Sequence, residues 1–226
     1  MTAHYPDLRH KPVVEREVAR PAFGNVIYTA RLKRVVDITL VLLSLPVVLP
    51  LILFMAFLVS LDGHKPFYVQ DRIGRNGRTF KFWKLRTMVH DADARLANFL
   101  ATDSLGLAEW TENQKLRCDP RVTRIGAFLR KTSLDELPQL WNVLRGDMSI
   151  VGPRPMMPQQ RNLYPGNAYY RMRPGITGTW QVSDRNNCSF AARAQFDDDY
   201  FRSASFFGDI RIIAATVRVV FRATGC

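Results

Sequence analysis

From Ile38 to Leu61 the chain carries no charged residue, and Leu, Val, Ile and Phe dominate the stretch. Few structures accommodate such a run, because a bilayer core demands a backbone that satisfies its own hydrogen bonds. As a straight helix it would measure roughly 36 Å, enough to cross a hydrocarbon core of about 30 Å. A single spanning anchor is the simplest reading, and two features favour another. Pro46 and Pro50 lie mid-segment; each removes a backbone donor and crowds the preceding turn, which kinks a helix. Arg31, Lys33 and Arg34 precede the segment, while Lys65, Arg72, Arg75 and Arg78 follow it. A spanning helix concentrates Lys and Arg on its cytoplasmic flank, so two basic flanks place both ends in the cytoplasm. Divided at Pro50, each half is roughly 17 Å long, about half the core. The prediction is a Pro-broken re-entrant membrane helix over 31–61, with a kinked spanning helix as the alternative. The segment begins too late and lacks the small-residue cleavage pattern of a removable signal peptide.

The 226 residues are enough for one catalytic unit with a sizeable core. Residues 1–30, with scattered charges, Pro6, Pro12 and Pro21, predict a poorly ordered extension. Residues 62–226 form the remaining, soluble part. The net charge of +12 calls for an acidic partner, whether nucleic acid, anionic lipid or substrate phosphate. Cys118, Cys188 and Cys226 are widely spaced and odd in number, which fits a reducing, cytoplasmic setting rather than a disulfide framework.

The fold class expected is α+β, mostly helical: a membrane-associated catalytic domain with a small β-hairpin and interfacial amphipathic helices. Val69 to Leu85 predicts the hairpin, with Asn76-Gly77 supplying a left-handed turn and delivering Lys84 and Arg86 near the membrane face. Helices are predicted over Asp91–Leu100, over Arg124–Lys131, and from near Asp135 to just before Gly146; the stretch Gly106–Asp119 reads as irregular. Phe206 to Arg222 sets Arg211, Arg218 and Arg222 on one helical face and Ile213, Val217 and Val220 on another. That pattern suits a helix lying at the headgroup boundary, and equally one packed on the domain core.

Asp135-Glu136 is the candidate catalytic pair. Asp135 also fits a helix N-cap, with Pro138 tolerated in the first turn. Lys84, Arg86, Arg130, Lys131 and Arg154 outnumber the two carboxylates and match what a diphosphate needs, although each alone fits a solvated surface charge. In Val151-Gly152-Pro153-Arg154-Pro155, two prolines around one arginine stiffen the backbone that carries the guanidinium. A carboxylate can attack phosphorus when a metal and nearby cations neutralise the phosphate. Mg2+ is the expected ion beside Asp135, since it takes few carboxylates together with phosphate oxygens and water. His4, His10, His64 and His90 form no ligand cluster, and neither a Walker loop nor a dinucleotide-binding glycine fingerprint occurs.

Six blocks then occur in order: Lys84-Leu85-Arg86-Thr87-Met88, Asp119-Pro120-Arg121-Val122-Thr123, Leu134-Asp135-Glu136-Leu137-Pro138-Gln139-Leu140, Gly146-Asp147-Met148-Ser149, Val151-Gly152-Pro153-Arg154-Pro155 and Arg173-Pro174-Gly175-Ile176-Thr177-Gly178. In these the chain resembles the monotopic phosphoglycosyl transferases, bacterial sugar transferases that initiate glycoconjugate assembly, over about residues 31 to 223. The resemblance implies Asp135 as nucleophile and Mg2+ ligand, Glu136 as its acidic partner, and Lys84, Arg130 and Arg154 facing substrate phosphates. It implies transfer of a hexose-1-phosphate, galactose or glucose, from a UDP-sugar to polyprenyl (undecaprenyl) phosphate, with release of UMP. Such an enzyme would sit on the cytoplasmic face of the bacterial inner membrane, would bind no nucleic acid, and could pair as a homodimer. Leu49-Pro50 stands where the family usually has Ser-Pro, Pro46 is additional, and Asp184 replaces an expected glycine. The competing reading is a non-catalytic, membrane-tethered basic module for anionic lipid or nucleic acid. It lacks an aromatic base-stacking platform and leaves the ordered blocks unexplained.

Overall fold

The computed structural model describes Tyr28 and residues 32–113, 116, 118–183 and 190–221. These are mostly helical, with two small two-stranded sheets. Helix α1, Lys33–Ser60, contains both Pro46 and Pro50 and continues through them. The predicted division at Pro50 is therefore not a break between two helices. A proline forfeits its own hydrogen bond and bends the axis, yet its fixed φ is helical, so an apolar helix can run on past it. Of the described helices, α1 alone is long and apolar enough to cross a membrane.

Both ends of α1 pack on the same body. Near its start, Val41 joins Phe82, Val143 and Met148 in one core cluster. One turn earlier, Asp37 accepts bonds from Ser149 Oγ at 2.7 Å and the Ile150 N–H at 3.1 Å. Near its end, Met55, Ala56 and Val59 share a second cluster with Leu85 and Leu129. Between these contacts Leu42, Leu43, Val47, Leu49, Leu53 and Phe54 are exposed. This row of exposed apolar side chains has the pattern of a lipid-facing surface.

Strands β1 (Phe67–Ile73) and β2 (Thr79–Leu85) form the predicted hairpin, antiparallel with Lys84 opposite Tyr68. Asn76 and Gly77 both take left-handed φ, 59° and 73°, as the turn requires. Helix α2 (Ala92–Thr102) follows, and then α3 (Ser104–Asn113), where an irregular stretch was expected. Gly106 lies inside α3 without breaking it; glycine lowers helix propensity by only about 1 kcal/mol, which contact with α2 offsets.

Helix α4 (Arg124–Thr132) starts at Thr123, whose side chain accepts from the Gly126 N–H at 2.9 Å, and ends at Ser133 in a left-handed conformation. A 3-10 turn, Leu134–Glu136, leads to α5 (Gln139–Arg145), which Gly146 closes at φ 90°. Asp135 caps neither element; the residue preceding α5 is Pro138. The predicted helix start is thus displaced, because the left-handed Ser133 uses the next residues to turn the chain.

Strands β3 (Ser149–Val151) and β4 (Gly175–Thr177) pair in parallel, which brings the Gly152-Pro153-Arg154 and Pro174-Gly175 blocks together. The backbones touch: a Cβ on Gly175 would stand 2.1 Å from Gly152 N. After the short α6 (Thr179–Val182) come α7 (Arg193–Ser203) and α8 (Phe206–Phe221). Ile212 and Ile213 of α8 pack against Val151 and Tyr200, so this basic amphipathic helix is docked on the domain core, while Arg211 and Arg218 stay exposed. Buried Asp209 accepts from Tyr28 Oη at 2.6 Å and from Lys33 Nζ, tying α8 to the entrance of α1. Tyr28 lies within the predicted extension; Arg222, Asp184 and the rest of residues 1–30 lie outside the described residues.

Candidate active site

Strand alternation puts Phe82 and Lys84 on one face of β2. Lys84 Nζ lies 5.6 Å from the Phe82 ring centroid and reaches the acidic pair, 2.8 Å from Glu136 Oε1 and 3.4 Å from Asp135 Oδ2. The strand and the acidic turn are locked together by Asn142 of α5, which is fully buried. Its side chain accepts from the Trp83 N–H at 3.2 Å and donates to Lys81 O at 2.7 Å. From the opposite side, the β3–β4 junction brings Arg154 NH2 to 3.7 Å from Glu136 Oε1.

Arg130 arrives by a close approach of backbones. A Cβ at Gly126 would stand 2.0 Å from Thr87 O, so only glycine lets α4 press on the segment after β2. One turn on, Arg130 Nε donates to Thr87 Oγ1 at 2.9 Å. Arg86 lines the same cleft but serves the scaffold: two bonds of 2.7 Å hold Asp62, and others reach the carbonyls of Val59, Lys65 and Met88. It therefore fastens the end of α1, and the predicted phosphate contact competes with that ion pair. Lys131 is exposed and does not line the cleft.

Two cations that the sequence reading left out of the site stand beside it. Arg72 on β1 donates to Pro155 O at 3.3 Å and to Gln70 Oε1 at 2.8 Å. Arg193 on α7 stacks over Trp180, 4.0 Å from the ring centroid, and over Phe190 at 4.7 Å. Strand alternation could have aimed Arg72 inward; nothing local in the sequence distinguishes Arg193.

Burial pushes Asp135 above the ordinary carboxylate range, against the pull of Lys84. The same burial acts on Glu136, but Lys84 and Arg154 outweigh it and hold the carboxyl at about 2. One side chain is thus a fixed anion, while its neighbour keeps the higher proton affinity that makes an oxygen nucleophile. Arg193 is lowered to about 10 by burial and by repulsion from Arg154 and Arg72; Arg72 is lowered in the same way. Crowded, partly desolvated guanidinium groups of this kind favour a bound polyanion.

The cleft over the acidic pair measures about 990 Å³ and is lined by Lys65, Arg72, Lys84, Arg121, Arg130 and Arg154 as well as by Asp135 and Glu136. A smaller recess of about 190 Å³ continues from it past Gln139 and Arg193. No group of three or more His, Cys, Asp or Glu side chains suited to a metal occurs among the described residues. Of the acidic pair, Glu136 Oε1 already faces Lys84 and Arg154, so Asp135 is the carboxylate that would hold Mg2+ with diphosphate oxygens and waters completing the coordination.

The model of the bacterial sugar transferase family matches residues 28–223. The chain is 47% identical over 196 residues to the UDP-galactose-lipid carrier transferase of Erwinia amylovora, covering 86% of this chain and 41% of that protein. It is 43% identical to the undecaprenyl-phosphate galactose phosphotransferase of Salmonella typhimurium, with 86% and 41% covered. It is also 45% identical to the exopolysaccharide production protein ExoY of Sinorhizobium fredii, with 85% and 87% covered. The chain thus spans about two-fifths of the longer relatives and most of the compact one.

Proposed function

Because the chain belongs to the bacterial sugar transferase family, we propose that it transfers a hexose-1-phosphate from a UDP-sugar to a polyprenyl phosphate, releasing UMP and initiating exopolysaccharide assembly. The observation that carries this reading is the Asp135–Glu136 pair held by Lys84 in a cation-lined cleft at the foot of an apolar helix. An oxygen of Asp135 attacks the sugar-bearing phosphorus; the P–O bond to UMP breaks, and UMP leaves with the electron pair. An oxygen of polyprenyl phosphate then attacks the same phosphorus, the aspartyl–phosphorus bond breaks, and Asp135 returns to a carboxylate. Both steps put charge on phosphoryl oxygens, where Lys84, Arg130 and Arg154 stabilise it without reorganising. Mg2+ held by Asp135 and the substrate diphosphate would supply further charge neutralisation. Galactose, which the names of two relatives carry, is the first sugar to try, with glucose as the alternative.

The exposed middle of α1, with both ends fixed to one body, supports a re-entrant loop into the inner membrane with the catalytic body on the cytoplasmic face. Purified full-length protein in nanodiscs, given a UDP-sugar, Mg2+ and polyprenyl phosphate, should release UMP. Asp135→Asn should lower the rate by on the order of 10⁴-fold or more. Mass spectrometry after donor alone should find the phosphosugar on the peptide containing Asp135. Full turnover by Asp135→Asn would defeat the reading.

A further inference from the structure

Glu136 and Arg154 border three spaces: the large polar cleft, the recess beside Arg193 that continues from it, and a third of about 270 Å³. The third differs in chemistry. Its walls are Leu134, Leu137, Leu140, Val182, Val219 and Val220, contributed by the acidic turn, α5, α6 and α8. Thr132, Ser133, Thr177, Gln181 and Thr216 also line it; the Thr177 and Thr216 hydroxyls bond each other at 2.6 Å, and the buried Gln181 Oε1 is the polar atom left without a partner among the described residues. Two of its apolar walls continue into the packing of α1: Leu134 lies against the cluster of Met55, Ala56 and Val59, and Leu140 against the cluster of Val41. The groove therefore runs from the catalytic carboxylates toward the side on which the lipid-facing helix lies.

We propose that this groove holds the first isoprene units of the polyprenyl phosphate acceptor, with the lipid phosphate at Arg154 and the remaining chain passing into the bilayer along α1. The assignment rests on the transferase reading above. An apolar tail joined to an anionic head is the ligand that matches apolar walls ending at a guanidinium. The nucleotide-sugar, polar throughout, suits the cation-lined cleft on the other side of the same pair. Acceptor and donor would thus reach Asp135 from different directions. Burial of a few methylene groups in the groove contributes affinity that a free phosphate, or a short-chain alkyl phosphate, lacks.

The test uses full-length protein in nanodiscs and a polyprenyl phosphate carrying a diazirine on its first isoprene unit. Irradiation should label peptides spanning 134–140, 176–182 or 216–220, and excess unmodified polyprenyl phosphate should suppress that label. Labelling confined to the exposed middle of α1 would overturn the assignment. Val220→Trp, which fills the groove, should raise KM for polyprenyl phosphate about tenfold while shifting KM for the UDP-sugar by less than about twofold. An equal rise in both constants, or in neither, would count against it. Labelling needs no turnover: a chain that labels in the groove but releases no UMP would contradict the transferase reading alone, whereas turnover without groove labelling would contradict only the groove.

Discussion

Lys84 Nζ lies 2.8 Å from Glu136 Oε1, a contact between residues far apart in sequence that joins strand β2 to the acidic turn. It favours the charged form of Glu136, while burial raises the neighbouring Asp135. Lys84→Met removes the partner from a partly buried carboxylate. Complete burial would make the loss about 3–5 kcal/mol; the partial exposure of both side chains reduces it to roughly 1–2 kcal/mol. The pH dependence identifies the cause. Glu136 is held at about 2 in the fold, below the ordinary value of about 4.3. Its contribution is present above the unfolded value and lost as pH falls toward about 2. The stability gap between wild type and Lys84→Met should therefore close on acidification, as read by denaturant unfolding followed through tryptophan fluorescence.

Asp197 behaves in the opposite sense. Burial raises it to about 7, against the bond from Tyr164 Oη, which is 2.6 Å away, and against the Arg193 charge. A raised carboxyl contributes stability that is complete below its unfolded value and lost as pH rises through the folded one. The wild type should thus weaken between about pH 4 and about pH 7. Asp197→Asn, which can still accept from Tyr164, should show a flatter profile and a higher relative Tm on the alkaline side. One pKa unit is worth about 1.4 kcal/mol, so a shift of several degrees in Tm is the expected difference across that range. Parallel profiles for the two proteins would contradict the assignment.

Local chemistry made part of this molecule readable in advance. Asn76-Gly77 carries its own turn and the stretch from Arg124 its own helical period, and each appears where its residues stand. What escaped depends on distant partners. Asn142 looks like a polar interruption of an apolar helix until the edge of β2 meets it. Arg193 becomes a site residue only because α7 folds back beside Arg72 and Arg154. Asp135 resembled a cap because Pro138 follows closely; the left-handed Ser133 moves the helix start beyond it.

Gly126→Ala tests whether the approach of α4 sets the position of Arg130. The added methyl would meet Thr87 O at 2.0 Å, and because that atom belongs to the backbone, the helix must retreat rather than a side chain rotate. Overpacking of this kind costs about 1–3 kcal/mol, visible as a lower Tm. The Arg130–Thr87 bond should be lost with it, so kcat should fall further than Thr87→Ala alone lowers it. A variant with wild-type Tm and kcat would show that the contact tolerates the shift.

The placement of α1 gives the most direct test of membrane topology. Asp37 near one end is bonded to Ser149 and Ile150, and the carbonyl of Val59 near the other accepts from Arg86. A helix crossing the bilayer would carry one of these ends to the far side and could not keep both contacts with a single body. Single cysteines introduced as Arg20→Cys and Lys65→Cys, in a chain whose native cysteines are replaced by serine, should therefore both react with an impermeant maleimide in inside-out vesicles. Neither should react in intact spheroplasts. Labelling of the two positions from opposite sides would establish a spanning helix. Asp37→Ala should weaken the anchor at the entrance of α1: with two hydrogen bonds to an ionisable carboxylate removed, a loss of about 2–4 kcal/mol is expected, measurable as a reduced thermal midpoint in detergent.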